Sequence, residues 1–332
     1  MATIQDVAKK AGVSVATVSR VLNKNQKVTQ KSALKVERAI RELDYHPNFL
    51  ARDLRKAESN RILVLLQTIS NPFYATIVRG IEDVARRHGY SIMLCNTDSD
   101  LEREKEYLTL LYKKMVQGAI FLDTEMSTEQ LNELAENNSL VLCCEYRKGV
   151  NVPHVMIDNY RAAKTIVEHL IGFGHRKIGL ICGDRHLEST MLRYNGYVDA
   201  LKEHGIAMED NFIFQSSESS FQMGQRAVET LLYKSDPTAI FSMSDIMAIG
   251  ALKALHKKGI RVPDEMAVAG FDGIEYSAVS VPGLTTIKQP NYEMGCAAME
   301  LLIQKMHNET IANEELIFEY ELLIRESTLK NV

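Results

Sequence analysis

The chain has 332 residues, with 45% hydrophobic and 25% charged residues and a formal net charge of -4. That length and balance fit a globular protein of two or three domains and exclude a disordered or fibrous chain. No apolar run is long enough to span a membrane and no leader segment opens the sequence, so a cytoplasmic protein is expected. The charge is unevenly placed: residues 1–60 carry a net +6 and the remainder a net -10. A basic head on an acidic body points to a nucleic-acid footprint confined to the head.

The head begins with Thr3, which can cap a first helix with Asp6 reaching back to it. Gly12 stands where a tight turn needs a permissive backbone, and Ser14 can cap a second helix. On that helix Val18, Val21 and Leu22 share one face, expected to bury against Val7, Ala8, Leu34 and Val36. Val15, Ala16, Ser19, Arg20 and Asn23 fall on the other face. Two short helices around a tight turn are the layout of a helix-turn-helix that reads the DNA major groove. Arg20 can bond guanine O6 and N7 with both arms of its guanidinium, and Val15 and Ala16 offer apolar contact. Thr3, Ser19, Asn23 and Tyr45 suit phosphate oxygens. A third helix is expected from about Thr29 to Leu43, with Val36, Ile40 and Leu43 inward. Beyond it Pro47 suits the start of a short helix, in which Leu50 and Leu54 share a face. Such a helix is too short to hold alone; Leu54 is a candidate minor-groove wedge. The domain reading is a DNA-binding head over 1–46, a hinge helix and linker over 47–60, and an effector-binding and dimerisation body over 61–332.

In the body, short apolar runs alternate with amphipathic helical stretches. Strands are expected at 62–66, 91–95, 119–122, 141–144, 177–181, 212–214, 239–242 and 267–271. Helices are expected after Asn71-Pro72, over 101–115 with Leu108, Leu111 and Met115 inward, and near 161–172, 190–204, 221–234, 246–258 and 292–306. The alternation predicts two doubly wound parallel-sheet lobes of the type I periplasmic-binding-protein kind. The first lobe takes about 61–160 plus 291–322, the second about 161–290 plus the C-terminal end. Ligands bind at the carboxyl ends of such strands. The residues there are Asn71, Phe73 and Tyr74, then Asp123, Glu145 and Tyr146, then Arg193, Ser244 with Asp245, and Asp272. The aromatics can stack on a base or sugar face, and Arg193 and Asp272 can hold hydroxyls or a carbonyl. Asp245, before Ile246-Met247-Ala248, reads equally as a helix cap and as a ligand contact.

Together these residues resemble the lactose/galactose repressor family of bacterial transcription regulators. The pattern Thr3-Ile4, Asp6-Val7-Ala8, Ala11-Gly12-Val13-Ser14, Thr17-Val18-Ser19-Arg20-Val21-Leu22-Asn23 carries the resemblance in the head. Gly270-Phe271-Asp272 and Leu284–Pro290 carry it in the body. The resemblance implies base reading by Val15, Ala16 and Arg20, intercalation by Leu54, and effector contacts at Phe73, Tyr74, Glu145, Tyr146, Arg193 and Asp272. It also implies a homodimer on palindromic operator DNA. Asn71–Tyr74, Phe241–Leu252 and Pro282–Gly295 are most similar to a nucleoside-responsive member, so the expected effector is a nucleoside such as cytidine. Ser219 and Leu187 stand where purine-sensing members carry phenylalanine and arginine, which disfavours a purine base. A sugar or sugar phosphate, or a protein co-regulator, is the alternative.

Two other classes fit the chain less well. An enzyme is disfavoured because G-x-S-x-G, Walker A, G-x-G-x-x-G after a strand and H-E-x-x-H are all missing. A solute-binding protein shares the body fold but not the head. No cofactor or metal is expected. Cys95, Cys143, Cys144, Cys182 and Cys296 form no C-x-x-C and read as reduced thiols.

Overall fold

The structure is a computed structural model that describes residues 2–22, 28–45, 59–183 and 186–329. The chain divides into two compact units, Met1–Ser59 and Asn60–Val332. The expected hinge helix with Leu54, and Asn23 at the end of the reading helix, lie outside the described residues.

The head holds helices α1 (Ile4–Ala11), α2 (Val15–Leu22) and α3 (Gln30–Glu42). The capping box forms: the Asp6 amide donates to Thr3 Oγ1 at 3.3 Å and the Thr3 amide to Asp6 Oδ2 at 2.8 Å. Gly12 ends α1 at φ +68°, in the left-handed region where an L side chain is strained. Ser14 Oγ accepts the Thr17 amide at 3.2 Å and starts α2. Val7, Ala8, Ala11, Val18, Val36 and Ala39 form the small core, with Val21, Leu22, Ile40 and Leu43 packed on it. Leu34 departs from expectation. It is 58% exposed, because Val36, two residues on and therefore on another side of α3, takes the inward position.

The body has two six-stranded sheets. The first comprises β1 (Arg61–Leu66), β2 (Ser91–Asn96), β3 (Gly118–Phe121), β4 (Ser139–Cys143), β5 (His154–Ile157) and β11 (Glu315–Phe318), in the order β11-β5-β4-β3-β1-β2, all parallel. The second comprises β6 (Ile178–Cys182), β7 (Ile213–Gln215), β8 (Ala239–Ser242), β9 (Ala267–Asp272), β10 (Thr285–Lys288) and β12 (Glu321–Leu323), in the order β12-β10-β9-β8-β6-β7. Only β12 runs antiparallel, against β10. The helices are α4 (Pro72–Arg87), α5 (Leu101–Tyr112), α6 (Thr128–Asn137), α7 (Asn159–Gly172), α8 (Glu188–Glu203), α9 (Phe221–Lys234), α10 (Asp245–Lys257), the short α11 (Glu275–Val279) and α12 (Asn291–Met306).

Helices cover both faces of each sheet, as parallel sheets require. In the first lobe, α4 and α12 line one face, and Leu108 and Leu111 of α5 with Leu131 and Leu134 of α6 line the other. In the second lobe, α7 and α8 pair on one face and α9 and α10 on the other. The chain passes between the lobes three times: after β5, after β10 and between β11 and β12. One apolar cluster runs from the first lobe into the second.

Strands β5, β10, β11 and β12 and helix α6 were not anticipated. The strands are only three or four residues long, and β10 (Thr-Thr-Ile-Lys) looks polar. Its threonines are buried with partners: Ser327 Oγ accepts the Thr285 amide at 2.8 Å, Thr328 Oγ1 lies 2.8 Å from Thr285 Oγ1, and the Thr286 hydroxyl donates to Asp245. Met115 was expected inward, but α5 ends at Tyr112 and Lys114 turns at φ +52°, so Met115 is half-exposed. Among the described residues no helix is long and apolar enough to cross a membrane.

Candidate effector cleft and DNA-reading helix

The carboxyl ends of both sheets face a cleft of about 740 Å³, within the range of small-molecule sites. On the first-lobe side Asn71 caps α4, accepting the Phe73 amide at 3.1 Å, with Pro72 at the first helical position. This aims Phe73 and Tyr74 at the cleft, their rings edge to face with centroids 5.2 Å apart. Glu145, just past β4, also lines it. It accepts hydrogen bonds from the amide of Ser189, at 3.2 Å, and from the Ser189 hydroxyl. The start of α8 has no side-chain cap of its own, so a carboxylate from the opposite lobe serves that helix end.

On the second-lobe side Arg193 of α8 is fixed by four groups. Its Nε donates to Asn159 Oδ1 at 2.8 Å and its Nη1 to the Met243 carbonyl at 2.7 Å. Its guanidinium lies 3.8 Å from the Phe271 ring centroid and its Nη1 3.6 Å from Asp272 Oδ1. Asp272 sits at the end of β9 with φ +111°, followed by Gly273 at +68°. Gln289 Nε2 donates to Asp272 Oδ1 at 3.0 Å, and Asn291 Nδ2 to its carbonyl at 3.2 Å.

The two readings of Asp245 are resolved in favour of neither. Ser244 is the cap of α10, accepting the Met247 amide at 3.4 Å, and Ser244 also lines the cleft. Asp245 is fully buried behind it. Its carboxylate accepts the Ile274 amide at 2.9 Å and the Thr286 hydroxyl at 2.6 Å. It thereby clamps the left-handed turn that points Asp272 into the cleft. Gly270 is required beside it, because a Cβ there would sit on Asp245 Oδ1.

Of the expected effector contacts, Phe73, Tyr74, Glu145, Arg193, Ser244 and Asp272 line the cleft together. Two do not. Asp123 is buried outside the lining, and among the described residues one of its carboxylate oxygens has no hydrogen-bond partner. Tyr146 turns aside and packs on the His154 ring, centroids 4.8 Å apart. Ser189, Asn159 and Gln289 were missed as site residues. Ser189 was visible as a hydroxyl in the first turn after a strand, but its partner Glu145 comes from the other lobe and is not inferable from spacing.

Burial raises the carboxyls of the cleft. It pushes Glu145 up to about 6 against its bonds to Ser189, and Asp272 up to about 7 against the pull of Arg193. Both carboxyls therefore hold more proton in the folded chain than in the unfolded one, between an ordinary carboxylate value near ~4 and those raised values. Their contribution to stability is complete at low pH and is lost as the pH rises through that window. The melting temperature of the body is thus expected to fall from about pH 4 to about pH 7 at constant salt, and less steeply in Asp272→Asn. Equal slopes in the two proteins would contradict the assignment.

In the head, Val15, Ala16 and Arg20 are exposed on one side of α2, with Ser19 half-exposed beside them, while Val18 is wholly buried. Thr3 and Ser14 already use their hydroxyls as helix caps, and Tyr45 is half-buried against the head core.

An exposed helix-turn-helix reading face on one unit and a two-lobed ligand cleft in the other define a DNA-binding regulator with a sensor body. Comparison with known proteins agrees. Residues 3–48 match the model of the bacterial regulatory proteins of the lacI family, and residues 167–328 match the periplasmic binding protein-like domain. The chain is 37% identical over 329 residues to the HTH-type transcriptional repressor CytR of Escherichia coli strain K12, covering 98% of this chain and 96% of that protein. It is 37% identical over 330 residues to the ribose operon repressor of Halalkalibacterium halodurans, covering 99% and 97%. The crystal structure of the lac repressor dimer bound to operator and the anti-inducer ONPF superposes with a TM-score of 0.87 at 28% identity, covering 99% of each chain. The chain belongs to the lacI family of bacterial regulatory proteins: it is a DNA-binding transcription regulator, and its relatives are regulators rather than enzymes.

Proposed function

We propose that the protein is a repressor whose operator affinity is set by a neutral, ribose-bearing effector, a nucleoside such as cytidine before any other. The observation that carries this reading is the charge of the cleft. Among the described residues five carboxyl groups line it (Asp98, which Arg103 pairs, Glu125, Glu145, Glu218 and Asp272), against one guanidinium, that of Arg193. A phosphate would meet net repulsion there. At the helix starts that face the cleft, Asn71, Glu145, Ser220 and Ser244 each already accept one of the amides an anion would use. Asp272 and the flanking hydroxyls suit ribose, and Phe73 and Tyr74 supply apolar faces for a base. A free pentose is the second reading, favoured by the equal identity to a ribose operon repressor.

The effector shifts operator affinity only by binding two states of the body unequally. The regulator acts as a homodimer on a palindrome. In support, the body exposes Tyr276, Val279 and Val281 on one segment and Leu94, Tyr112 and Met115 on elements of the first lobe. Base reading rests on Val15, Ala16 and Arg20. Arg20→Ala is expected to relax discrimination between operator and mismatched DNA by about 1–3 kcal/mol, measured as a ratio of dissociation constants at fixed salt. Unchanged discrimination would remove Arg20 from the reading face.

Thermal melting against cytidine, other nucleosides, pentoses and their phosphates tests the effector class, since a ligand of the folded state raises the melting temperature. Nucleosides should raise it and their phosphates should not. A shift with phosphates alone would overturn the reading.

A further inference from the structure

The cysteines Cys143 and Cys144 are adjacent in sequence, and the effector reading makes no use of them. Along β4 the side chains alternate between the two faces of the sheet. Leu140 and Leu142 join the cluster under α5 and α6, and Val141 and Cys143 join the cluster under α4 and α12. Alternation would send Cys144 back to the first of these faces. It does not go there. Cys144 has φ +75°, a left-handed conformation unusual for a non-glycine residue, and its side chain falls in the same cluster as Cys143. The two sulfurs consequently converge to 3.8 Å. The backbone holds this kink, with the Cys144 amide donating to the Val155 carbonyl at 2.7 Å. Cys143 is wholly buried, whereas Cys144 lines the cleft. Both are free thiols.

We propose that Cys143 and Cys144 form a dithiol site on the wall of the cleft that takes a soft, thiophilic centre through both sulfurs at once, trivalent arsenic being its chemical class. Two converging thiols favour such a centre, because soft sulfur ligands select soft acceptors and the second bond is intramolecular. The hydrogen bond shared with Cys143, and then burial, raise the Cys144 thiol above its ordinary value. The pair is therefore a poor thiolate nucleophile toward peroxides. It is suited to a reagent that carries the thiol protons away. With phenylarsine oxide the two S–H bonds and the As=O bond break, two As–S bonds form, and the oxygen leaves with both protons as one water. Arsenic stays trivalent throughout, so no oxidant or reductant is needed. An adduct on Cys144 stands inside the cleft, where it excludes other occupants.

The test is intact-mass measurement of the full-length protein after treatment with phenylarsine oxide, followed by excess glutathione and then by ethanedithiol. One phenylarsenic group per chain should survive the monothiol and be removed by the dithiol. Cys143→Ser and Cys144→Ser, each checked for folding by its melting curve, should lose the group to glutathione. Peptide mapping of the wild-type adduct should place arsenic across Cys143 and Cys144, a readout that holds even if a variant fails to fold. Failure of the wild type to keep the group against glutathione would overturn the proposal, and so would an equally resistant adduct in either variant or one mapped elsewhere. The result does not depend on which effector the cleft binds.

Discussion

Asp272→Ala is expected to shift the response of operator binding to about 10- to 150-fold higher effector concentration while leaving operator binding itself in place. Asp272 is a cleft-lining carboxylate of the second lobe whose surroundings are built to hold it. Gln289 and Asn291 bond its side chain and carbonyl, and Asp245 clamps the turn that follows it. A hydrogen bond to a charged group contributes about 1.5–3 kcal/mol, so its loss should weaken effector binding by about 10- to 150-fold. Arg193 keeps Asn159 and the Met243 carbonyl in the variant and is not left without partners. The head has its own core of Val7, Val18 and Val36, which the substitution does not touch. Fluorescence anisotropy on operator DNA, with and without effector, reads both quantities. A response at unchanged effector concentration would place the effector elsewhere, and loss of operator binding without effector would mean the body had unfolded. Asp245→Ala and Gly270→Ala should reproduce the defect in milder form, because each frees the turn rather than removing the contact.

The second large effect is on stability. Helices α4 and α12 meet backbone to backbone through a reciprocal pair of glycines. A Cβ on Gly80 would sit on the Tyr292 carbonyl oxygen, and one on Gly295 would sit on that of Ile77. Neither obstacle is the far end of a flexible side chain, so relief requires the helices to part. Gly295→Ala should cost about 3 kcal/mol, at the upper end of overpacking effects. The gain in helix propensity from alanine is smaller, about 1 kcal/mol, and opposes it. The expected drop in melting temperature is roughly 5 °C or more. Gly80→Ala should do the same, and the double variant should lose less than the sum, since one parting of the helices accommodates both methyl groups. In contrast, Gly89→Ala meets no neighbour within 4 Å, and only its φ of +81° is strained. A melting temperature for Gly295→Ala equal to that of the parent would show that the helices are not held this closely. Glycines pack α9 against α10 in the same reciprocal way, at Gly224 and Gly250.

Neither glycine pair was evident from the chain alone, because Gly80 and Gly295 are more than two hundred positions apart. The same limit applied to the cleft. Continuous apolar runs such as Ile62–Leu66 and Ala239–Phe241 identified the buried parallel strands, since a strand covered on both faces has no polar side to show. The ends of those runs then marked Phe73, Tyr74, Glu145, Ser244 and Asp272 as lining residues. Asp123 and Tyr146 obeyed the same rule and still fell outside the lining. Position relative to a strand end does not say whether a side chain points into the cleft, beneath it or away.

Local chemistry was decisive in the head. The cap at Thr3, the turn at Gly12 and the 3.6-residue spacing of apolar side chains involve partners at most a few positions apart, so the chain carries them in plain order. The family resemblance rested on the same short-range patterns. The body's site required the tertiary structure, because its bonds join residues brought near only by folding: Glu145 to Ser189, Arg193 to Asn159 and Met243, Asp245 to Ile274 and Thr286. Short-range preferences are set by covalent geometry and helix periodicity. Pairings across the lobes are set by how the sheets pack and where the chain crosses between them, and only the folded chain specifies those.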